Sequence, residues 1–358
     1  MRISLCMIVR DEEDVLERCL SSAAGLFSEI IIVDTGSRDR TRDIALGFTD
    51  KVYDFEWIDD FAAARNFAFS KASGDYLMWL DADDVIEGEN YRLFGELFRD
   101  LENTRPDVVM LPYNVAFDGE RVTLSYERER VLRAGAGFWF EGAVHEAVPP
   151  RGKIIHGQAA VCHRKTHVKS STRNLDIFEK LLRNGKRFSA RDCYYYAREL
   201  RWAGRASEAV EWYQKCADDE NAWVENRVSA MFEMSTLLLE SGEPERSNEA
   251  LLKCLELSEP RADICCEIGR RLLEKQRLGA AKFWYELAPI QYKKPLGGFL
   301  HADFGGYLPY LQLCVICDRL GDMKLAAQYN ELAGRIKPNS EAVRLNRAYF
   351  REKGVLTD

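Results

Sequence analysis

The run Leu77-Met78-Trp79-Leu80 is wholly apolar, and the next four residues, Asp81-Ala82-Asp83-Asp84, hold three carboxylates. Apolar side chains favour burial, whereas unpaired carboxylates resist it strongly. Such a run calls for a buried strand that ends at the rim of a sheet. In open α/β sheets the carboxyl ends of strands form ligand crevices there. Two carboxylates one residue apart suit a hard divalent cation that keeps positions open for phosphate oxygens. Alone, Asp-x-Asp fits a polar strand end or a helix cap equally well, so its neighbours decide its meaning.

Those neighbours alternate between strand and helix. Hydrophobic spacing predicts strands over 3–9, 30–33, 51–55 and 76–80. Between them it predicts helices over 13–24, with Val15, Leu16, Cys19 and Leu20 on one face, over 40–47 with Ser37 or Asp39 as N-cap, and over 61–72. This order implies crossover units and a mainly parallel sheet. After Asp84 a helix is expected over 91–101 and a strand over 108–111. Residues 122–133 alternate as in an antiparallel pair. The glycine- and aromatic-rich stretch 135–142 reads as a loop, 153–162 as a last strand ending at His163, and 165–173 as a polar link.

Beyond residue 173 the sequence is helical, and it repeats. Gly204 leads to Ala209, Tyr213 and Cys216, and Gly242 leads at matching offsets to Leu251 and Cys254. Gln276 with Ala281, Tyr285 and Ala288 fits the same frame, as does Gly321 with Ala326 and Ala333; Pro338 then closes the series. This resembles the tetratricopeptide repeat, with four helical hairpins and an insertion over 291–306. A length of 358 residues favours two domains, taken as 1–165 and 166–358.

Net charge of −8 argues against a general nucleic-acid binder. No stretch approaches the roughly 20 apolar residues that span a bilayer, and the apolar N-terminal run is too short for a signal peptide. The ten cysteines lack a paired Cys-x-x-Cys pattern. Reduced, partly buried thiols and a cytoplasmic location are therefore expected.

The motifs Met7-Ile8-Val9-Arg10-Asp11-Glu12-Glu13, Ile31-Ile32-Val33-Asp34-Thr35-Gly36-Ser37 and Asp59-Asp60-Phe61-Ala62-Ala63-Ala64-Arg65-Asn66 precede Leu80-Asp81-Ala82-Asp83-Asp84 in that order. Together they resemble glycosyltransferase family 2, over roughly the first 165 residues. With the appended repeats, the chain is similar to the SunS-like peptide S-glycosyltransferases, which modify a cysteine of a bacteriocin precursor. One departure is Asp11, where many relatives carry asparagine. The resemblance implies a GT-A fold, a Rossmann-like mixed α/β sheet, followed by the all-α repeat domain. It also implies a nucleotide-diphosphate sugar as donor, most simply a UDP-sugar, with Mg2+ or Mn2+ as cofactor.

The roles it implies fall on named residues. Ile8, Val9, Arg10 and Glu12 would cradle base and ribose, and Asp34 would bind the base or ribose edge unless it caps the next helix. Arg65 would compensate diphosphate charge, its fork of donors matching phosphate, or else form a surface salt bridge. In an extended segment Asp81 and Asp83 face the same side; Asp81 would reach the ribose or the metal's water shell, and Asp83 the metal. His163 is either a further metal ligand or a structural histidine, and Asp84 either joins the site or caps the following helix. Within Gly142-Ala143-Val144-His145-Glu146, Glu146 is the first choice and His145 the second for the general base of an inverting transfer; a purely structural role competes.

The expected activity is metal-dependent, inverting glycosyl transfer to a peptide or protein acceptor, including a cysteine thiol. By analogy with repeat-bearing relatives, self-association as a homodimer goes with it. Transfer to a cell-envelope or polysaccharide precursor is the alternative, and a non-catalytic repeat scaffold is the rival from another class.

Overall fold

Strands buried on both faces read as continuous apolar runs, because each side chain meets a covered face whichever way it points. In the computed structural model, which describes residues 1–165, 172–293 and 300–356, those runs become β1 (Ile3–Val9), β2 (Glu29–Asp34) and β4 (Tyr76–Trp79). β1 pairs in parallel with β2 and β4, and β2 with β3 (Val52–Asp54). Ile3, Leu5, Met7, Val9, Tyr76 and Met78 turn to one face, against α1 (Leu16–Ser22) and α4 (Glu89–Thr104). Cys6, Ile31, Val33, Leu77 and Trp79 turn to the other, against α3 (Phe61–Lys71). α2 (Thr41–Leu46) connects β2 to β3.

The sheet continues with an antiparallel hairpin, β6 (Val108–Asp118) and β7 (Arg121–Arg133), longer than the sequence suggested. The order is β3-β2-β1-β4-β7-β6-β9-β5, with β5 at Asp84–Val85 and β9 at Val161–His163, while β8 (Ile154–His156) also pairs with β6. The single strand expected over 153–162 is thus two. Met110 is opposite His156 and Tyr113 opposite Val161, so five steps of one chain match three of the other. The surplus residues leave the ladder around Gly157, where a Cβ would meet Leu111 at 2.5 Å.

The chain divides into Met1–Phe188 and Ser189–Asp358. α5 (Arg173–Arg183) falls in the first unit, where Lys180 pairs with Asp59 at 2.5 Å and Arg173 stacks on Phe61. Most of the expected link at 165–173 lies outside the described residues, as does part of the insertion at 291–306.

Among the described residues, the second unit stacks four hairpins. They are α6 (Ala190–Trp202) with α7 (Ala206–Asp218), α8 (Val224–Glu240) with α9 (Pro244–Leu257), α10 (Ala262–Glu274) with α11 (Leu278–Tyr292), and α12 (Tyr307–Arg319) with α13 (Met323–Ile336). α14 (Glu341–Glu352) follows. The small and aromatic residues of the repeat frame, from Ala209, Tyr213 and Cys216 to Ala326 and Ala333, are buried. Each hairpin turns on one left-handed residue: Gly204 (φ 75°), Gly242 (φ 80°), Gln276 (φ 55°) and Gly321 (φ 86°). Three are glycine; Gln276 carries the cost of a Cβ there. Gln276→Gly is expected to stabilise the chain by about 1 kcal/mol, while Gly242→Gln destabilises it similarly; equal denaturation midpoints for Gln276→Gly and wild type would refute this.

At the amino ends of the strands, Glu29 accepts hydrogen bonds from Ser4, Lys51 and Ser73. Burial alone would raise its pKa, but these partners draw it down to about 2. A folded-state pKa below the unfolded value stabilises above about pH 4.5, and that contribution disappears as pH falls toward 2. Acid unfolding of Glu29→Gln should therefore show a shallower pH dependence than wild type across that window.

Candidate active site

At the carboxyl rim, Val9 at the end of β1 lies opposite Asp34 at the end of β2. Thr35 binds the Val9 carbonyl through its N–H (3.0 Å) and its hydroxyl (3.2 Å). Past Val9 the chain turns sharply at Asp11, whose φ is 53°. This is a conformation that asparagine and aspartate tolerate better than other side chains, so the departure at Asp11 is conformationally mild. The loops after β1 and β2 are stitched together. Asp11 N–H donates to Ser37 Oγ (3.0 Å), Arg38 N–H donates to Asp11 Oδ1 (2.8 Å), and Glu12 N–H donates to Thr41 Oγ1 (2.7 Å).

Ile8 and Glu12 are half-buried on this seam, Val9 is buried and Arg10 is exposed. Asp34 is buried and accepts from the N–H groups of Gly36 (3.1 Å) and Ser37 (2.8 Å). It orders the loop and does not cap α2; neither Ser37 nor Asp39 is the N-cap expected there, since the helix starts from Arg40 without a side-chain cap, and Asp39 only accepts from Thr41 N–H at 2.9 Å.

α3 begins at Asp60, whose side chain caps Ala63 N–H, and it carries Arg65 inward. The guanidinium lies by the rings of Trp79 (4.8 Å) and Phe140 (5.3 Å). Nη2 binds Asp81 Oδ1 and Nε binds Glu146 Oε1, both at 2.6 Å. Nη1 is buried with no hydrogen-bond partner. The next residue, Asn66, pairs reciprocally with the backbone of Phe140 (3.0 and 2.8 Å), and Phe61 N–H reaches Ala143 O (2.9 Å). Glu141 and Ala147 exchange backbone bonds across the tight loop between them, which uses Gly142 (φ 95°) and His145 (φ 53°). Burial by itself would raise the pKa of Asp81, but Arg65 and Arg130 hold its carboxyl well below the usual carboxylate range.

The segment after Trp79 is not extended, which corrects the reasoning that placed Asp81 and Asp83 on one side. Asp84 N–H bonds to Asp81 O (3.0 Å), and Asp81 N–H bonds back to Asp84 Oδ2 (3.0 Å), closing a turn. Asp81 therefore faces Arg65, while Asp83 Oδ1 lies 3.2 Å from His163 Nδ1. Asp83, Asp84 and His163 form a cluster able to hold a metal ion. Asp84 caps no helix. It is fully buried against Arg130 Nη1 (3.2 Å) and the Tyr113 hydroxyl (2.8 Å). Burial would lower the pKa of His163, but hydrogen bonds to Asp83 and Asp84 raise it to about 9.

Sequence reasoning missed the support from β7. Arg130, fully buried, is sandwiched between Trp79 (3.8 Å) and Tyr113 (4.2 Å). Arg128 stacks on Trp79 (4.8 Å), pairs with Glu129 (3.2 Å) and donates to the Glu146 carbonyl (3.3 Å). Val109 and Met110 pair with Val131 and Glu129, so Arg130 is the extra residue of a β-bulge that re-aims it inward. The signal on offer was Arg128-Glu129-Arg130 in a strand otherwise fit for burial.

Residues 4–160 match the model of glycosyl transferase family 2. That segment is a family 2 glycosyltransferase domain. The chain is also 28% identical over 254 residues to the prophage-derived glycosyltransferase SunS of Bacillus subtilis, covering 66% of this chain and 59% of SunS. A TPR repeat-containing protein of Synechococcus elongatus is 52% identical over 85 residues, covering 24% of this chain and 21% of that protein. The lipopolysaccharide core biosynthesis glycosyltransferase LpsC of Rhizobium meliloti is 26% identical over 161 residues, with 42% and 58% covered. The chain thus spans less than two thirds of the length of each of these relatives.

Within the family 2 domain, Arg65 bridges two carboxylates that are far apart in sequence. Arg65→Met leaves both without their cation and is expected to cost about 3 kcal/mol or more of stability. Adding Glu146→Gln should recover part of that loss in a double-mutant cycle; additive effects on the denaturation free energy would contradict the coupling.

Proposed function

We propose that this chain is a metal-dependent, inverting glycosyltransferase that moves a sugar from a nucleotide-diphosphate donor, most simply a UDP-sugar, to a peptide or protein acceptor. The observation that carries the reading is the bridge from Arg65 to Asp81 and Glu146 at the strand ends of a family 2 domain. Donor contacts are assigned to Ile8, Val9, Arg10, Glu12, Asp34 and Asp81. Arg65 offers the donor only its unbonded Nη1 and otherwise acts by holding the two acids.

The donor set fits a divalent cation. Asp84 has its oxygens taken by Arg130, Tyr113 and Asp81 N–H, which leaves the partly exposed Asp83 and His163 as ligands. One carboxylate and one imidazole, with diphosphate oxygens completing the shell, suit Mg2+ or Mn2+. Bound there, the cation supplies Lewis-acid stabilisation of the leaving diphosphate.

Glu146 is assigned as the general base. With Oε1 bonded to Arg65, Oε2 takes the proton of the acceptor hydroxyl or thiol as that atom attacks the anomeric carbon from the face opposite the departing diphosphate. His145 is the second choice. A cysteine thiol needs less help from a base than a hydroxyl, since its reference pKa is ~8.5. The stacked helical hairpins favour a peptide or protein acceptor, because repeat units build extended binding surfaces. The match to LpsC favours the second reading, an envelope-precursor acceptor. Ten buried thiols, all free, suit the reducing cytoplasm, and among the described residues no helix is long and apolar enough to cross a membrane.

Hydrolysis of a panel of nucleotide sugars with and without Mn2+ tests the proposal. Asp83→Ala is expected to abolish metal-dependent donor binding. Glu146→Gln should spare binding and slow turnover by ~10²–10⁴. Normal donor and metal binding by Asp83→Ala, or full turnover by Glu146→Gln, would reject the assignment of that residue.

A further inference from the structure

The match to family 2 ends at residue 160, yet the first unit runs on to Phe188 and includes α5. Leu175, Ile177 and Phe178 bury one side of that helix. Two of its other residues reach back to the turn from which α3 starts. Lys180 Nζ bonds Asp59 Oδ2 (2.5 Å), and the Arg173 guanidinium lies over the Phe61 ring (4.7 Å). Asp60, between them, caps Ala63 N–H (2.9 Å). Trp57 closes the turn from within: its indole N–H donates to Asp59 Oδ1 (2.9 Å), and its ring meets Phe61 edge-on (4.7 Å). Both oxygens of Asp59 are thus engaged, in a residue whose backbone is left-handed (φ 60°). Such a conformation persists where its surroundings over-determine it.

Stability does not account for the pair. The side chains of Lys180 and Asp59 are 54% and 35% exposed, and pairs so open to solvent add little to stability. Charge at the rim does account for it. Lys180 holds the Asp59 carboxyl below the usual carboxylate range, against the effect of burial and with help from Trp57 and Arg10. Arg10, a residue assigned to the donor, is therefore within electrostatic reach of Asp59. Its own carboxylate neighbour, Asp11, is loose at 3.9 Å. A carboxylate left free at position 59 would compete for Arg10 and repel an anionic donor. We propose that Lys180, on a helix beyond the family 2 segment, is a positioning residue for the donor: it pins the Asp59 turn and occupies its carboxylate, which leaves Arg10 to the nucleotide. The inference rests on the reading of the rim after β1 as the donor site.

The test is calorimetric titration of the full chain with UDP in the presence of Mn2+, at low and at high salt. Lys180→Met is expected to bind about fivefold more weakly at low salt, with its thermal midpoint little changed. The deficit should shrink at high salt, which screens the freed carboxylate. Lys180→Arg keeps the pair and should bind as wild type does. Adding Asp59→Asn to Lys180→Met should restore affinity, because asparagine tolerates the left-handed turn and carries no charge. Wild-type affinity in Lys180→Met, or a double variant as weak as Lys180→Met, would overturn the inference. Arg10→Met separates it from the reading beneath. If Arg10→Met binds UDP weakly while Lys180→Met binds it normally, only the role of Lys180 falls. If Arg10→Met binds normally, or wild type binds no UDP, the donor site is misplaced and the inference falls with it.

Discussion

One guanidinium joins the two sides of the rim. Arg65 reaches Asp81, at the end of a central strand, and Glu146, in a loop reached only after the whole antiparallel hairpin has been laid down. A buried arginine needs paired acids, and buried acids need the arginine, so neither segment settles without the other. Neighbouring contacts enforce the same closure: Asn66 grips Phe140, Phe61 grips Ala143, and Arg128 holds the carbonyl of Glu146. Helix α3 thereby fixes the loop over 141–147 against the strand that delivers Asp81. A group proposed to act as a base is held in place by the residue that also fixes Asp81.

Backbone strain is concentrated around the same rim. Among the described residues, Asp11, Asp59, Arg105, His145 and Gln276 have positive φ without being glycine. Arg105 ends a helix and Gln276 turns a repeat. The other three sit in loops tied to the site. Asp11 is bonded to the loop after β2, Asp59 is held by Lys180 and the Trp57 indole N–H, and His145 precedes Glu146. Conformations of this kind persist where the surroundings over-determine them, and here the surroundings are the bonds that aim the site.

The sequence was most legible where local rules act alone. The apolar strands, the crossover helices and the helical hairpins all follow from periodicity, and the hairpin turns were marked even at Gln276, where no glycine announced the left-handed residue. Asp81, Asp83, Arg65, His163 and Glu146 all stand out in the sequence by their motifs. The contacts themselves were hidden. The Arg65–Glu146 pair spans 81 positions, and no periodicity reports on such a separation. Arg130 was hidden differently, because the bulge shifts the in-and-out phase of β7, which is the property that alternation reads. The turn at 81–84 defeated the assumption of an extended segment because its closing bond comes from the side chain of Asp84 itself.

Charge then links these parts. Asp81, Asp83, Asp84, Glu129 and Glu146 face the guanidinium groups of Arg65, Arg128 and Arg130 and the imidazole of His163. Each arginine of this group is already bonded to at least one carboxylate, and His163 is raised to about 9 by its acidic neighbours. In the proposed reaction a diphosphate at this rim meets these four cationic groups already engaged, and unpaired negative charge is costly in a partly desolvated site. The compensation enters, in that reaction, with the donor. A divalent cation meets the need there at Asp83 and His163, because Asp81, Asp84, Glu129 and Glu146 are already paired with arginines.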